Sequence, residues 1–241
     1  MTSDATAVAA ARVRDRIEAA CLRVGRSPSD VSLVAVSKGV PAERVAALVT
    51  TGGVDAIGEN RVQEAAAKIP LVPDIPWHLV GHLQANKAGR ALELFTVIQS
   101  VDSLALAQRL DRLLADSGGE AGEGSGSLAL FPVLLQVNVD ADPGKAGFAP
   151  GGIGRDLDAL ASLPHLELQG LMTVGRLVGD PEAARPTFVA LRGLSEALRA
   201  RSSRLGAELS MGMSDDFEVA IEEGATIVRV GRAIFGERPP G

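Results

Sequence analysis

The stretch Val31-Ser-Leu-Val-Ala-Val-Ser-Lys38-Gly-Val-Pro41 decides the fold class of this chain. Its apolar run is short, rich in β-branched residues and bounded by turn residues, which is typical of a strand buried on both faces. Pro41 suits the first position of a helix, and helix-forming residues continue over 42–50. Lys38 therefore lies at the carboxyl end of a buried parallel strand, where open α/β sheets and (β/α)8 barrels bind ligands. The alternative is an ordinary solvated lysine at the rim of the sheet.

The composition predicts a cytoplasmic protein that binds neither nucleic acid nor membranes. Hydrophobic residues make up 46% of the 241 residues. The net charge of −6 gives no excess of basic residues that would favour binding to nucleic acid. The longest apolar runs are too short and too interrupted to span a bilayer. Arg12, Arg14 and Arg16 interrupt the first alanines, so we expect no signal-peptide core. A single cysteine, Cys21, fits a reducing compartment and reads as a small core residue.

Strands and helices alternate along the whole chain. After a helix over residues 5–25, the pattern predicts eight strands, at 32–37, 54–57, 77–80, 95–99, 131–137, 166–171, 208–210 and 226–230. Eight strands in a chain close to the usual length of about 250 residues indicate a single (β/α)8 TIM barrel with an extra N-terminal helix, spanning 1–241. A doubly wound sheet with six or seven strands is the alternative fold.

A low-complexity segment interrupts this alternation between the fourth and fifth predicted strands. Residues 117–127 read Ser-Gly-Gly-Glu-Ala-Gly-Glu-Gly-Ser-Gly-Ser, which predicts a flexible insertion. The helix before it is predicted to have Asp102 as its N-cap. Because the insertion precedes a strand, we expect it on the side of the barrel opposite the carboxyl ends of the strands. The strand–helix pattern resumes unchanged after it, so we do not expect a domain boundary there.

Residues at the carboxyl ends of the predicted strands should lie on one face of the barrel. These residues are Lys38, Asn60, His82, Ser100, Asn138, Met172 with Thr173, residues 210–214, and Gly231 with Arg232. The strongest local pattern is Ser210-Met-Gly-Met-Ser-Asp-Asp216, taken together with Gly231. Such serine- and glycine-rich turns after the last two strands of a barrel often bind phosphate.

Ser214 could instead be only a helix N-cap, with Asp215 and Asp216 favouring the positive end of the helix dipole. Both acids would repel an anion. We therefore expect the phosphate nearer the Ser210–Met211 and Gly231–Arg232 amides.

Arg229 lies inside the eighth predicted strand, on the same side as Gly231. A buried arginine has to be paired or to face a polar cavity, so we expect it to share one ligand with the phosphate amides. Together with Lys38, this suits an aldehyde that carries a phosphate and is held as a Schiff base. The amine must then be neutral, and burial beside a cation lowers its pKa. Pyridoxal 5′-phosphate fits, and so does a phosphorylated sugar in a Schiff-base aldolase.

Other patterns point to less specific chemistry. Asn60 with Gln63 three residues later fits a capping box as well as it fits a ligand contact. His78 and His82 lie on a strand and its turn without a third ligand candidate, so we expect no metal site. Ser195 lacks the G-x-S-x-G context of a hydrolase nucleophile.

Six blocks of the sequence, in order, resemble the YggS/PROSC family of pyridoxal phosphate homeostasis proteins. The resemblance runs from about residue 10 to 237. The blocks are Val34-Ala-Val-Ser-Lys38, Gly58-Glu-Asn-Arg-Val-Gln-Glu64, Trp77-His-Leu-Val-Gly-His-Leu-Gln-Ala-Asn-Lys87, Gly170-Leu-Met172, Leu209-Ser-Met-Gly-Met-Ser-Asp-Asp216 and Val228-Arg-Val-Gly-Arg-Ala-Ile-Phe-Gly236.

The resemblance implies a barrel like the N-terminal domain of alanine racemase, without the second domain of that enzyme. It implies that Lys38 holds pyridoxal 5′-phosphate (PLP) as a Schiff base and that Ser210 and the Gly231–Arg232 turn hold the phosphate. Arg229 would face the pyridine nitrogen, and Asn60 would lie beside the ring. The expected cofactor-binding residues are Lys38, Asn60, Met172, Ser210, Met211, Ser214, Arg229, Gly231 and Arg232.

The same resemblance bears on whether the protein is a carrier or a catalyst. An arginine at the pyridine nitrogen leaves it unprotonated, which makes the ring a weaker electron sink. Alanine racemases share such an arginine but add a tyrosine base from the neighbouring subunit, and this chain has no tyrosine. Since the resemblance implies no second domain, we expect the site to be open to water.

We therefore expect a monomeric carrier and regulator in PLP (vitamin B6) homeostasis, without enzymatic activity, whose candidate recipients are PLP-dependent apoenzymes. The alternatives are a PLP-dependent racemase or lyase of the same fold, using His82 or another base, and the aldolase.

Overall fold

The computed structural model describes residues 3–118, 130–175 and 179–237. Eight parallel strands pair in sequence order, and the last pairs with the first, which closes the barrel. The strands are β1 Ser32–Val36, β2 Ala56–Glu59, β3 Trp77–Leu79, β4 Val97–Val101, β5 Phe131–Gln136, β6 Leu166–Met172, β7 Leu205–Ser210 and β8 Ile227–Val230. The predicted (β/α)8 barrel is confirmed, and the doubly wound alternative is wrong.

Helices follow the strands on the outside of the barrel. The described α-helices are α1 Ser3–Arg23, α2 Ala42–Thr51, α3 Val62–Lys68, α4 Ala88–Leu94, α5 Leu104–Gly118, α6 Pro150–Ala161, α7 Arg185–Arg199, α8 Phe217–Glu222 and α9 Arg232–Phe235. Short 3-10 helices lie at Pro28–Asp30, Ile69–Leu71, Ala85–Lys87 and Pro181–Ala184. Most of the predicted insertion at 117–127 lies outside the described residues. No helix in the described ranges is long and apolar enough to cross a membrane.

The extra N-terminal helix is present and packs across the junction of the first and last barrel units. α1 contacts α2, α8 and α9. Its buried apolar residues recur at helical spacing, and they are Ala10, Val13, Ile17, Ala20 and Cys21. This spacing places one apolar stripe of the helix against the barrel units. Cys21 is a buried, free thiol, as the sequence predicts.

The fourth strand begins two residues later than the sequence suggests. Phe95 was expected to open it, but the Phe95 amide donates to the Ala91 carbonyl at 3.0 Å and so ends α4. Ser100 consequently lies inside β4 and is buried. The predicted N-cap at Asp102 is also wrong, because the Ser103 hydroxyl accepts from the Leu106 amide at 3.3 Å.

Side chains alternate between two apolar layers. A small cluster fills the barrel interior and consists of Val34, Ala56, Val97, Leu134, Met172 and Ile227. A larger layer lies between the strands and the helices. Because every strand runs in the same direction, all eight carboxyl ends open onto one face of the barrel. β2 and β3 approach closely there, since a Cβ on Gly81 would lie 2.4 Å from the Asn60 carbonyl oxygen.

Candidate ligand-binding site

A cavity of about 390 Å³ opens at the carboxyl ends of the strands. Its volume falls within the range of roughly 300–1,000 Å³ that is usual for small-molecule sites. Apolar side chains from several strand ends form part of its wall, including Val36, Val80 and Val174. Six of the nine residues predicted from the sequence line it, and they are Lys38, Asn60, Ser214, Arg229, Gly231 and Arg232.

The other three predicted residues lie beneath the cavity and do not line it. Met172, Ser210 and Met211 are fully buried. Met172 belongs to the apolar cluster inside the barrel. The Met211 amide donates to the Ile227 carbonyl at 3.1 Å, so it serves the strand pairing and not the cavity. Met172 and Ser210 are the last residues of β6 and β7, and Met211 follows β7 directly, so the sequence pattern alone does not separate them from the residues that line the cavity.

Arg229 forms the buried cationic wall of the cavity. Only 5% of the residue is exposed. Its guanidinium donates to the Ser210 hydroxyl at 2.6 Å and to the Thr173 carbonyl at 2.7 Å. Burial lowers the pKa of Arg229 to about 10, and the charge of Asp216 acts in the opposite direction. Both hydrogen-bond acceptors are neutral, so no carboxylate among the described residues is hydrogen bonded to the charged guanidinium in the cavity wall.

A buried ion pair lies behind Lys38, between the barrel and α3. The Lys68 amine is hydrogen bonded to the Glu59 carboxylate and, at 2.7 Å, to the Ser37 carbonyl. The Ser37 hydroxyl donates to the same carboxylate at 2.9 Å. Ser37 and Glu59 are fully buried, and Lys68 is nearly so. The residue immediately before Lys38 is therefore held on both its backbone and its side chain.

The residue after Lys38 is held by the same helix. The Gly39 amide donates to the Glu64 carboxylate at 3.0 Å, and that carboxylate lies 3.8 Å from the Lys68 amine. The chain on both sides of Lys38 is thus fixed by charged groups of β2 and α3. Sequence analysis missed this cluster because its members come from separate elements that only the barrel brings together.

The mouth of the cavity carries an exposed ion pair. Asp215 and Arg232 both line the cavity and bond to each other with about half of each side chain exposed. Arg232 also lies 3.5 Å from Glu237. The Ser214 hydroxyl accepts from the Ala233 amide at 3.2 Å, which ties the turn after β7 to the first turn of α9. Ser214 is therefore not a cap of α8, which begins later, at Phe217.

Asp216 lies deeper in the same wall. Burial raises its pKa, while a hydrogen bond from the Met213 amide, at 2.6 Å, and the nearby Arg229 charge lower it. The carboxylate thus belongs to the same electrostatic environment as Arg229. It moderates the positive potential of the cavity.

Two of the weaker sequence alternatives find no support. The capping box of Asn60 and Gln63 does not form, since α3 has Arg61 at its N-cap without a side-chain hydrogen bond. His82 lies on the rim, outside the cavity lining, with its Nδ1 2.9 Å from the Asp102 carboxylate. Within the described ranges, no group of three or more His, Cys, Asp or Glu residues could hold a metal ion.

Comparison with known proteins decides the family. The model of the alanine racemase N-terminal domain matches residues 10–239. A pyridoxal phosphate homeostasis protein of Pseudomonas aeruginosa is 40% identical over 234 residues, which cover 96% of this chain and 95% of the relative. Its counterpart in Aquifex aeolicus is 37% identical and covers 94% and 96%, respectively. The chain belongs to the pyridoxal phosphate homeostasis protein family.

Solved structures agree with this family assignment. PipY of Synechococcus elongatus PCC7942, solved with PLP bound, superposes on this homeostasis family member with a TM-score of 0.77 at 38% identity, covering 93% of this chain and 100% of PipY. Alanine racemase of Clostridium difficile 630 gives a TM-score of 0.72 at 17% identity, covering 94% of this chain and 58% of the enzyme. At that identity the likeness concerns the fold alone, which is the predicted barrel of the racemase N-terminal domain.

Proposed function

We propose that this homeostasis family member binds PLP as a Schiff base on Lys38 and acts as a carrier and regulator of intracellular PLP. The observation that carries the proposal is the single cavity that joins Lys38, the buried Arg229 and the Ser214 and Gly231–Arg232 turns. The PLP-bound structure of PipY, a relative at 38% identity, supports the choice of ligand.

The groups in the cavity fit the three functional parts of PLP. Lys38 supplies an amine for the aldehyde carbon. Arg229 can only donate hydrogen bonds, so it suits the unprotonated pyridine nitrogen, which accepts one. Arg232 and the turns at Ser214 and Gly231 would hold the phosphate. When bound, PLP supplies an electrophilic carbonyl and a conjugated ring, and Arg229 limits how strongly that ring withdraws electrons.

A carrier agrees better with these residues than a racemase or lyase. The chain contains no tyrosine that could act as the second base. His82, the base that the racemase alternative would use, lies outside the cavity lining and is bonded to Asp102. We further propose that the protein acts as a monomer in the cytoplasm and delivers PLP to PLP-dependent apoenzymes.

Spectroscopy with chemical trapping tests the PLP site. Purified protein mixed with PLP should develop a visible absorbance band, and borohydride should fix the adduct on the peptide that contains Lys38. Lys38→Ala should lose the band, while Lys87→Ala, in the 3-10 helix Ala85–Lys87 and outside the cavity lining, should keep it. A protein that stays colourless, or an adduct on another lysine, would contradict the proposal.

Isotope exchange separates carrier from enzyme. The PLP-loaded protein is incubated with alanine in deuterium oxide, and deuterium at the α-carbon is followed by NMR. A carrier should give exchange close to that of free PLP. Exchange at enzyme-like rates would overturn the carrier and favour the racemase.

A further inference from the structure

A continuous series of hydrogen-bonded polar side chains crosses the interior of the barrel. It runs from His78 on β3 to Gln99 on β4, then to Ser210 on β7 and Arg229 on β8. The Nδ1 of His78 lies 2.8 Å from the Gln99 Nε2, and the Ser210 hydroxyl lies 2.6 Å from the Gln99 Oε1. The last link joins Ser210 to Arg229 at 2.6 Å. Gln99 and Ser210 are fully buried.

The directions of the links follow from the arginine together with the orientation of the Gln99 amide, whose Oε1 faces Ser210 and whose Nε2 faces His78. Arg229 has donors only, so the Ser210 oxygen must accept from it. The Ser210 O–H then donates to the Gln99 carbonyl oxygen, which turns the Gln99 amide group toward His78. The Nδ1 of His78 must therefore accept, and its proton must be on Nε2. Burial lowers the pKa of His78 to about 4, in agreement with a neutral ring.

We infer that His78 and Gln99 are positioning residues for Arg229, acting through Ser210. These hydrogen bonds orient the Ser210 hydroxyl so that a lone pair points toward the guanidinium. This orientation holds Arg229 in its place in the cavity wall. Every link of the chain is neutral, so it orients the arginine without compensating its charge. The inference rests on the proposed function, since the ligand group that Arg229 would meet is the pyridine nitrogen of PLP.

The hydrogen-bonded residues His78, Gln99 and Ser210 are neutral, and this distinguishes positioning of Arg229 from charge pairing with it. A carboxylate at position 99 or 210 would hold Arg229 at least as firmly, but it would lower the positive potential that the ligand meets. An apolar residue at position 99 would leave the Ser210 O–H without its acceptor and allow the hydroxyl and the guanidinium to turn. Gln99 satisfies both neighbours because its amide offers an acceptor at one end and a donor at the other.

The first test needs no ligand. In protein labelled with ¹⁵N-histidine, His78 should show an unprotonated Nδ1 and a protonated Nε2 between pH 6 and 8. The chain has three histidines, so His82→Gln and His165→Gln variants assign the signals. Gln99→Met should remove the tautomer preference. A wild-type His78 that is protonated at Nδ1 would overturn the inference.

The second test measures positioning through PLP. Gln99→Met should weaken PLP binding about tenfold, since two hydrogen bonds are lost, and should shift the absorbance maximum of the bound form. His78→Leu should act similarly, whereas His78→Asn, which keeps an acceptor, should recover most of the affinity. Ser100→Ala, at the adjacent buried position in β4, is the matched control, and it should bind as the wild type does.

Thermal unfolding checks that Gln99→Met is folded. If the folded variant has the wild-type affinity for PLP and the wild-type absorbance spectrum, the inference is overturned. A wild-type protein that fails to bind PLP would instead contradict the proposed function, and the His78 tautomer in the ligand-free protein distinguishes the two failures.

Discussion

The two cationic walls of the cavity are built in opposite ways. Behind Lys38, the supporting lysine at position 68 is bonded directly to the Glu59 carboxylate in the layer between barrel and helix. Behind Arg229, the supporting groups are the neutral Ser210 and Gln99 inside the barrel. One wall is held by opposite charges, and the other is held by neutral dipoles.

The difference separates structural support from ligand recognition. The Lys68 amine pairs with the Glu59 carboxylate, so the charge of Lys68 is neutralised within the protein. Among the described residues, the Arg229 guanidinium donates to the neutral Ser210 hydroxyl and Thr173 carbonyl, and Asp216 acts on it through its charge. Burying a charge without a carboxylate partner costs free energy. We therefore assign the buried Arg229 charge to binding a ligand atom that accepts a hydrogen bond from the guanidinium.

The largest expected effect is on the paired wall. Lys68→Met leaves the fully buried Glu59 without its cation, and we expect the free energy of unfolding to fall by about 3–5 kcal/mol. Urea titration followed by circular dichroism measures it. The double variant Glu59→Gln with Lys68→Met should recover most of this loss, since no unpaired charge remains. A single variant as stable as the wild type would show that the pair is not needed.

The neutral wall should respond to acid instead. The unfolded chain binds a proton at His78 near pH 6.5, while the folded chain binds it only near pH 4. The unfolded state thus holds more protons between these values, so stability should fall on acidification from pH 7 to 4, by at most about 3 kcal/mol.

His78→Asn removes this titrating group and provides the comparison. Urea titrations of both proteins across this range should show the wild type losing stability relative to the variant. Parallel pH profiles for the two would contradict a neutral His78.

Removing the unpaired charge should affect binding more than folding. Arg229→Met should weaken PLP binding by about tenfold to a hundredfold, the value of a hydrogen bond to a charged group. The free energy of unfolding should change by less than about 2 kcal/mol, since the loss of a buried charge offsets the acceptors left unpaired. Fluorescence titration and urea titration measure the two quantities. A variant that unfolds but binds PLP normally when folded would reverse the comparison.

The smallest effect concerns the exposed ion pair at the mouth. Asp215→Asn frees Arg232 for the phosphate and should tighten PLP binding by at most about fivefold, because an exposed pair is worth up to about 1 kcal/mol. Glu237→Gln, at the other neighbour of Arg232 and outside the cavity lining, is the control and should have less effect. Weaker binding in Asp215→Asn would show that Asp215 orients Arg232 instead of competing for it.

The sequence predicted the barrel because each strand has its own local signal. The placement of Lys38 at a strand end and of Arg229 inside a strand followed from short patterns of this kind. The β4 boundary was misplaced because Phe95 has strong strand propensity, yet its amide completes the preceding helix.

The supporting residues could not be predicted in this way. Ser210 and Gln99 are 111 positions apart and meet only when the barrel closes. Glu59 and Lys68 are nearer in sequence, but their pairing depends on how α3 packs on β2. A polar residue inside a strand signals that it needs a partner, and the sequence alone does not say which one.

The most direct test of the account is a crystal structure of this protein grown with PLP. We expect continuous electron density between the Lys38 amine and the aldehyde carbon, with the pyridine nitrogen within hydrogen-bond distance of Arg229. The phosphate should lie against Ser214 and the Gly231–Arg232 turn. A reversed ring that places the phosphate on Arg229, or attachment to a lysine other than Lys38, would contradict the account.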